Sequence, residues 1–230
     1  MKQELLDKLK GKLIVSCQAL AGNALRDSYC MGAMARAAMQ GGAAAIRANG
    51  VEDITEIRKR VDIPIIGINK TAADPVYPYI TPTFEHAKEI AGLGIDIIAV
   101  DATLRPRRDG GTAAELIRRI KDELGLIVMA DIATLEEGIA AAECGADIVA
   151  TTLSGYTPQS VKMEGPDYEL IRQLVKAVKT PVIAEGRFHS PEDMAKGFAA
   201  GAHAIVIGKI ITNPEFITRT YIQKCQELCK

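Results

Sequence analysis

Short apolar runs rich in β-branched residues alternate with segments of helical periodicity along the whole chain. The runs predict eight strands, at 13–18, 44–48, 64–70, 95–101, 126–131, 147–152, 181–185 and 204–208. The helical segments that follow them lie at 27–40, 51–60, 83–93, 112–124, 135–144, 167–178, 191–200 and 214–230. This alternation predicts an α/β fold with a parallel sheet covered by helices, and eight repeats predict one (β/α)8 TIM barrel over residues 1–230.

Capping residues support the predicted helix ends. Ser190 followed by Pro191 is a typical helix start, and Thr134 with Glu137 forms a capping-box pattern. Glycines at 94, 125, 145 and 201 are expected to end four helices shortly before the next strand. Residues 1–12 predict an additional amphipathic N-terminal helix with Leu5, Leu6 and Leu9 on one face, without the continuous apolar stretch of a signal peptide.

Composition and charge limit the kinds of molecules that the chain is expected to bind. With 48% hydrophobic residues and a formal net charge of -1, the chain can build one large core, and its interspersed charges give no broad field for nucleic acid or an anionic membrane. The apolar runs are too short to cross a bilayer as helices. The five cysteines form an odd count without metal-type spacing, which predicts reduced thiols and a cytoplasmic protein.

Polar side chains recur where the predicted strands end. Residues two apart on a strand share a face, and in a barrel the inward face is apolar until the mouth. By this alternation six polar groups take the last inward position of six strands: Gln18, Arg47, Lys70, Asp101, Asp131 and Glu185. One such group is often a structural ion pair, but six together at one mouth predict a binding or catalytic site.

Lys70 and Glu185 are the candidate catalytic residues of this site. An amine and a carboxylate that converge on one cavity can exchange protons with a substrate, and each can shift the pKa of the other. The sequence leaves open which of the two acts as acid and which as base.

Glycines after the last two strands predict a phosphate site. Gly186 and Arg187 follow the seventh strand, and Gly208 and Lys209 follow the eighth, where phosphosugar barrels bind an anion through backbone N–H groups. Glycine allows close approach of the backbone, while the two cations add charge. Simple tight turns are the alternative interpretation.

Two further loops carry polar residues. Residues 151–158 are rich in hydroxyls, including Thr152 and Tyr156, and are expected to bind a sugar or its phosphate, or else to form an ordinary turn. Arg105, Arg107 and Arg108 follow the fourth strand and could attract an anion, although a solvated role is expected for at least two of them.

Several other chemistries lack sequence support. The three histidines are scattered without metal-type spacing, so no metal is expected. No dinucleotide, nucleoside-triphosphate or serine-hydrolase motif is present. Cys17 adjoins Gln18 and should point out of the barrel, which predicts a packing role for its thiol.

The chain resembles the N-acetylmannosamine-6-phosphate 2-epimerase family nearly end to end. The segments that carry the resemblance lie at 16–20, 41–48, 64–70, 80–83, 101–103, 130–132, 134–138, 151–157 and 185–187. The resemblance implies a TIM barrel with Lys70 and Glu185 as the acid/base pair and with Gln18, Arg47 and Asp131 on the sugar. It also implies a phosphate near Gly186, Arg187 and Gly208, and a homodimer to which terminal helices contribute.

One position departs from the family pattern. After the eighth strand the family usually has two small residues and then Ile-Thr-Arg-Pro, whereas this chain has Gly208-Lys209-Ile210-Ile211-Thr212-Asn213-Pro214. Asn213 thus replaces an arginine expected to help hold the substrate. Lys209, which the pattern lacks, is the candidate to supply the missing charge.

The implied reaction inverts C2 of an N-acetylhexosamine 6-phosphate in sialic acid catabolism. Opening of the ring makes the C2 proton removable, since the charge then passes to an enolate at the C1 aldehyde. Neither a redox cofactor nor a metal is needed, and the expected partners are the phosphosugar and a second copy of the chain. The alternatives are a Schiff-base aldolase acting through Lys70 and a non-catalytic sugar-phosphate sensor.

Overall fold

Eight parallel strands close into a barrel in the order in which they occur along the chain. The structure is a computed structural model that describes residues 2–229. Its strands are β1 Lys12–Cys17, β2 Ala45–Asn49, β3 Ile65–Ile68, β4 Ile97–Asp101, β5 Ile127–Asp131, β6 Ile148–Ala150, β7 Val182–Glu185 and β8 Ala204–Ile207. The predicted TIM-barrel fold is confirmed.

Helices connect successive strands and cover the barrel. They are α1 Lys2–Leu9, α2 Ser28–Gln40, α3 Val51–Arg58, α4 Phe84–Ala91, α5 Ala113–Arg119, α6 Leu135–Glu143, α7 Tyr168–Ala177, α8 Pro191–Ala199, α9 Lys209–Thr212 and α10 Pro214–Leu228. The predicted caps are present: Ser190 caps α8 ahead of Pro191, and Thr134 forms a capping box with Glu137 at α6. None of the described helices is long and apolar enough to span a membrane.

Strand alternation sorts the apolar residues into two layers. The inner layer fills the barrel and includes Ile14, Ile66, Met129 and Ile183. The outer layer, with Val15, Cys17, Ile46 and Ile65 among its members, packs under the helices. Cys17 is therefore buried outside the barrel, as predicted, and burial raises the pKa of its thiol to about 12.

The N-terminal helix α1 lies across the end of the barrel where the strands begin. Leu6 and Leu9 are buried in the inner layer, with Leu5 packed against it. The Leu6 carbonyl oxygen lies 2.7 Å from Nε2 of His203, which precedes β8. Lys121 donates to Asp147 at the same end, and Lys2 of α1 pairs with that carboxylate. Apolar packing and ion pairs thus fix α1 as the floor of the barrel.

Three local features differ from the sequence expectation. Strand β3 ends at Ile68, because Asn69 and Lys70 leave the sheet and Lys70 forms an isolated bridge with Ile80. The helix predicted at 112–124 becomes a π-helical turn at Ile120–Leu124, which ends at Gly125 in the left-handed conformation. The four-residue helix α9 was not predicted, since one turn is too short to show a periodic pattern.

Candidate functional site

A fully buried arginine holds three strands together at the barrel mouth. Arg47 on β2 forms a two-pronged ion pair with Asp131 on β5, and its Nη1 lies 3.1 Å from Asp131 Oδ1. The same nitrogen pairs with Glu185 at the end of β7. Because Arg47 and Asp131 are almost wholly inaccessible to water, their charges interact strongly.

Thr152 completes this cluster from the loop after β6. Its hydroxyl donates to Asp131 Oδ1 at 2.6 Å and lies 3.2 Å from Glu185 Oε2. Arg47 Nη1 is 3.3 Å from the same hydroxyl. Arg47 Nε, in contrast, is buried without a hydrogen-bond partner among the described residues.

Lys70 lies at the same mouth, held by hydrogen bonds to Gln18, which directly follows β1 and was predicted as its last residue, and to Asn49 at the end of β2. Its Nζ donates to Oε1 of Gln18 at 2.7 Å, and Gln18 Nε2 donates to Oγ of Ser16 at 2.7 Å. The Lys70 backbone N–H donates to Oδ1 of Asn49 at 2.9 Å, and the bridge to Ile80 fixes its other side. The chain thus leaves β3 in a direction that places the Lys70 amine at the mouth, although Lys70 itself lies two residues beyond the end of the strand.

The environment moves the pKa values of Lys70 and Glu185 toward each other. Burial, together with the Arg47 charge, lowers the pKa of Lys70 to about 8 against the opposing charges of Glu185 and Asp131. Burial raises the pKa of Glu185, with a further contribution from Asp131, although Arg47 and Lys70 oppose this rise. Lys70 can therefore both accept and donate a proton near neutral pH, and the rise in the pKa of Glu185 favours its protonated form.

Asp101 belongs to a separate cluster beside the Arg47 group. It lies opposite Asp131 in the register of β4 and β5, so two carboxylates end neighbouring strands. Asp101 pairs with Arg105 at 2.6 Å and accepts a hydrogen bond from Oγ1 of Thr103 at 2.7 Å. Each aspartate thus has its own arginine, which offsets the repulsion between them.

The expectation of solvated arginines after β4 is wrong for two of the three. Arg105 and Arg107 are buried, and Arg107 donates to the carbonyl oxygens of Asp101 and Pro82. Only Arg108 is exposed, where it pairs with Asp74. The sequence could not show this, because the acceptors that hold these arginines lie on β4 and on the loop after β3.

The residues predicted to bind phosphate lie after β7 and β8. Gly186 has a φ of 118°, which only glycine adopts readily, and Gly208 precedes α9. The Arg187 guanidinium donates to the Gly165 and Ser154 carbonyl oxygens at 2.6 and 2.7 Å. Arg187 therefore fastens the loop after β6, and only part of its donor capacity remains for an anion. Lys209 is exposed, with its Nζ 5.9 Å from the Phe216 ring.

Tyr156 lies at the outer rim, whereas Thr152 lies inside the mouth. The Tyr156 side chain is largely exposed, and the Arg187 guanidinium lies 5.2 Å from its ring. Asn213 caps α10, because its side chain accepts a hydrogen bond from the Phe216 N–H at 3.0 Å. Asn213 lies at the position where the family pattern has an arginine, and its side chain caps α10.

Sequence reasoning missed two residues of the mouth. Asn49 lies two positions after Arg47 on the same strand face, so the alternation that identified Arg47 could also have found it. Tyr79 sits in an irregular loop and packs against the inner apolar layer, and no periodic pattern marks it. Among residues 2–229, no group of three or more His, Cys, Asp or Glu side chains is placed to hold a metal ion.

Comparison with known proteins places the chain in one family of sugar-phosphate epimerases. A family model described as "Putative N-acetylmannosamine-6-phosphate epimerase" matches residues 31–227. A relative from Caldanaerobacter subterraneus, named "Putative N-acetylmannosamine-6-phosphate 2-epimerase", is 48% identical over 228 residues, 99% of this chain and 96% of its own length. A relative of the same name from Clostridioides difficile is 49% identical over 95% of this chain and 98% of its own.

Solved structures agree on the fold. The N-acetylmannosamine-6-phosphate 2-epimerase from Clostridium perfringens superposes with a TM-score of 0.92 at 49% identity and covers 95% of both chains. A thiamine phosphate pyrophosphorylase from Pyrococcus furiosus superposes with a TM-score of 0.63 at 18% identity, which is a likeness of fold alone.

Proposed function

This chain belongs to the N-acetylmannosamine-6-phosphate epimerase family, and we propose that it interconverts N-acetylmannosamine 6-phosphate and N-acetylglucosamine 6-phosphate by proton transfer at C2. One observation carries the assignment of the chemistry. The charges of Lys70 and Glu185 act on each other at the barrel mouth, where burial lowers the pKa of Lys70 to about 8 and raises the pKa of Glu185. This is the property that a reversible exchange of a carbon-bound proton requires.

The proton is removed after the sugar ring has opened. The base takes the C2 proton, the electron pair of the C–H bond forms the C1–C2 double bond, and O1 becomes an enolate oxygen. Return of a proton to the opposite face of C2 restores the aldehyde with inverted configuration. In the two-residue version, Lys70 serves one face and Glu185 the other, and their roles exchange with the direction of the reaction. In the one-residue version, a single base serves both faces and the intermediate turns between the two transfers.

Arg47 provides the positive charge that the enolate needs. Burial by itself would lower its pKa, but Asp131 and Glu185 raise the pKa above its ordinary value, so the guanidinium keeps its proton. Asp131 and Glu185 already fix the guanidinium at the mouth, so its charge stabilises developing negative charge without reorganisation. Gln18 and Thr152 border Lys70 and Glu185 and orient the sugar through hydrogen bonds.

The phosphate site is the second part of the proposal. The N–H groups near Gly186 and Gly208 would contact the phosphate, and Arg187 and Lys209 would add charge from the rim. Two observations support this: the Lys209 charge acts on both Lys70 and His189, and α9 starts directly after Gly208. Tyr156 would cover the sugar from the loop that Arg187 fastens.

Replacement of Lys209 tests whether it supplies charge in place of the missing arginine. We expect Lys209→Ala to raise KM for the sugar phosphate about two- to fivefold with little change in kcat, because an exposed ion pair contributes below about 1 kcal/mol. The matched control is Lys196→Ala, which removes an exposed lysine from α8. Equal KM values for the two variants would contradict the role of Lys209.

Dimer formation through the C-terminal helix belongs to the same proposal. None of the residues of α10 is buried, and Tyr221, Ile222 and Leu228 are exposed by more than half. Packing this face against a second copy would remove its apolar surface from water. A solution mass of one 24.7 kDa chain, measured by light scattering, would contradict the dimer. A cytoplasmic location is also proposed, and the five free cysteines support it.

The reaction itself is tested by NMR in D2O with N-acetylmannosamine 6-phosphate. We expect N-acetylglucosamine 6-phosphate to form with deuterium at C2 and with its carbon chain intact. Binding of the sugar phosphate without C2 exchange would instead identify a sensor. Cleavage of the carbon chain, with an adduct on Lys70 that borohydride traps, would identify an aldolase.

A further inference from the structure

Tyr79 reaches the barrel mouth from the loop between β3 and α4. It packs against the inner apolar layer next to Ile80, which is itself 1% exposed. The Tyr79 N–H donates to Oδ2 of Asp101 at 3.2 Å, and its carbonyl oxygen accepts from the Thr71 N–H at 3.0 Å. The backbone on both sides of the ring is therefore fixed, and the ring has a defined position.

The phenol lies among the charges of the site, yet its hydroxyl is unused. Burial, together with the charges of Asp101 and Asp131, raises the pKa of Tyr79 to about 12 against the opposing charges of Arg105 and Arg47, so the hydroxyl keeps its proton. Within residues 2–229, no side chain or backbone group accepts a hydrogen bond from it. A largely buried phenol without a protein acceptor is a donor available to a ligand.

The position of Tyr79 across the barrel identifies the ligand group that it meets. In the closed order of eight strands, β3 and β7 are four places apart and so lie on opposite sides. If the phosphate at C6 lies by β7 and β8, as the proposed function requires, the C1–C2 end of the sugar extends toward β3 and β4. C2 carries the acylamino group, whose carbonyl oxygen is a neutral acceptor suited to a neutral phenol.

We propose that the Tyr79 hydroxyl donates a hydrogen bond to the acylamino carbonyl oxygen at C2 and thereby selects N-acylated over free amino sugar phosphates. Arg105 supports the ring, because its guanidinium lies 5.7 Å from the ring centroid while it pairs with Asp101 and donates to the Asp74 carbonyl oxygen. The buried Asp101–Arg105 pair thus positions the loop that carries the selecting residue.

The test compares the binding of two probes that differ in the acyl group. Calorimetry measures the dissociation constants of N-acetylglucosamine 6-phosphate and glucosamine 6-phosphate for the wild type and for Tyr79→Phe. We expect the acylated probe to bind about 3- to 10-fold more weakly to the variant, the value of one neutral hydrogen bond, and the amino probe to bind unchanged. Tyr77→Phe is the matched control, because Tyr77 lies on the same loop with its ring under Arg108 at the rim.

Equal weakening of both probes, or weakening of neither, would overturn the proposal. A melting temperature of Tyr79→Phe close to that of the wild type shows that the loop is intact. Binding requires no turnover, so the result is separate from the proposed reaction. A wild type that never exchanges the C2 hydrogen would overturn the reaction and leave the selectivity for the acyl group measurable.

Discussion

Lys70→Ala is expected to lower kcat by about 10²- to 10⁴-fold, the usual contribution of a general acid or base. The variant removes the amine that lies next to Gln18 at the barrel mouth, while Arg47 and Glu185 keep their contacts. Because the phosphate site is untouched, we expect binding of the sugar phosphate to change far less than kcat. Initial rates of C2 deuteration in D2O, together with calorimetric binding, separate the two effects.

The pH dependence of the reaction rate gives a second test of the role of Lys70. The pKa of Lys70 is about 8, so its neutral form increases about tenfold per pH unit below that value and levels off above it. In the direction in which Lys70 is the base, kcat/KM of the wild type, which reports the free enzyme, should follow this rise. The variant should lose the dependence, and a small primary amine in the buffer should restore part of the rate. Full turnover by Lys70→Ala would remove this lysine from the mechanism.

Glu185→Gln is expected to lower kcat by a similar factor, about 10²- to 10⁴-fold, because the amide can neither take nor give the proton. The change keeps the shape of the side chain, and Asp131 remains as the partner of Arg47. Burial disfavours the ionised form of Glu185, so loss of its charge should leave the free energy of unfolding nearly unchanged. Thermal unfolding and C2 exchange rates are the measurements.

Glu137→Gln is the matched control for a buried carboxylate. Glu137 accepts hydrogen bonds from the N–H groups of Leu104, Ala133 and Thr134, so it serves the start of α6. We expect this variant to lose about 1–3 kcal/mol of stability and to retain kcat. Retained turnover in Glu185→Gln, or a loss of kcat as large in Glu137→Gln, would contradict the assignment.

The two variants together also resolve the path of the proton. With one base for each face of C2, each variant should still exchange the hydrogen of the epimer whose base remains, without inverting it. With a single base, loss of that residue should stop exchange in both epimers.

The repeated pattern of the chain was sufficient to predict the barrel, and alternation within strands was sufficient to predict Arg47, Asp131 and Glu185 at one mouth. Both signals come from the backbone geometry of regular structure. Lys70 was placed correctly although its strand ends two residues earlier, since its position depends on the bridge to Ile80. Tyr79 could not be predicted in this way, because its position depends on Asp101 across the fold.

Arg105 and Arg107 show the limit of sequence neighbours as a guide to charge. Three arginines within four residues suggest a solvated basic loop, yet two of them are buried because Asp101 and backbone carbonyl oxygens satisfy their donors. Arg187 shows the same effect, since carbonyl oxygens of the loop after β6 take two of its donors. Partners that are distant in sequence decide which cations remain free for a ligand.

Helix α1 covers the end of the barrel where the strands begin. Leu6 and Leu9 pack into the inner apolar layer, and the side chains of that layer fill the barrel between α1 and the mouth. Substrate and product therefore both pass through the mouth of the barrel. Each turnover ends only when the epimer leaves past the loops through which its precursor entered. Entry and release of both sugars thus depend on the loops after β3, β6 and β8, whereas proton transfer at C2 depends on the residues beneath these loops.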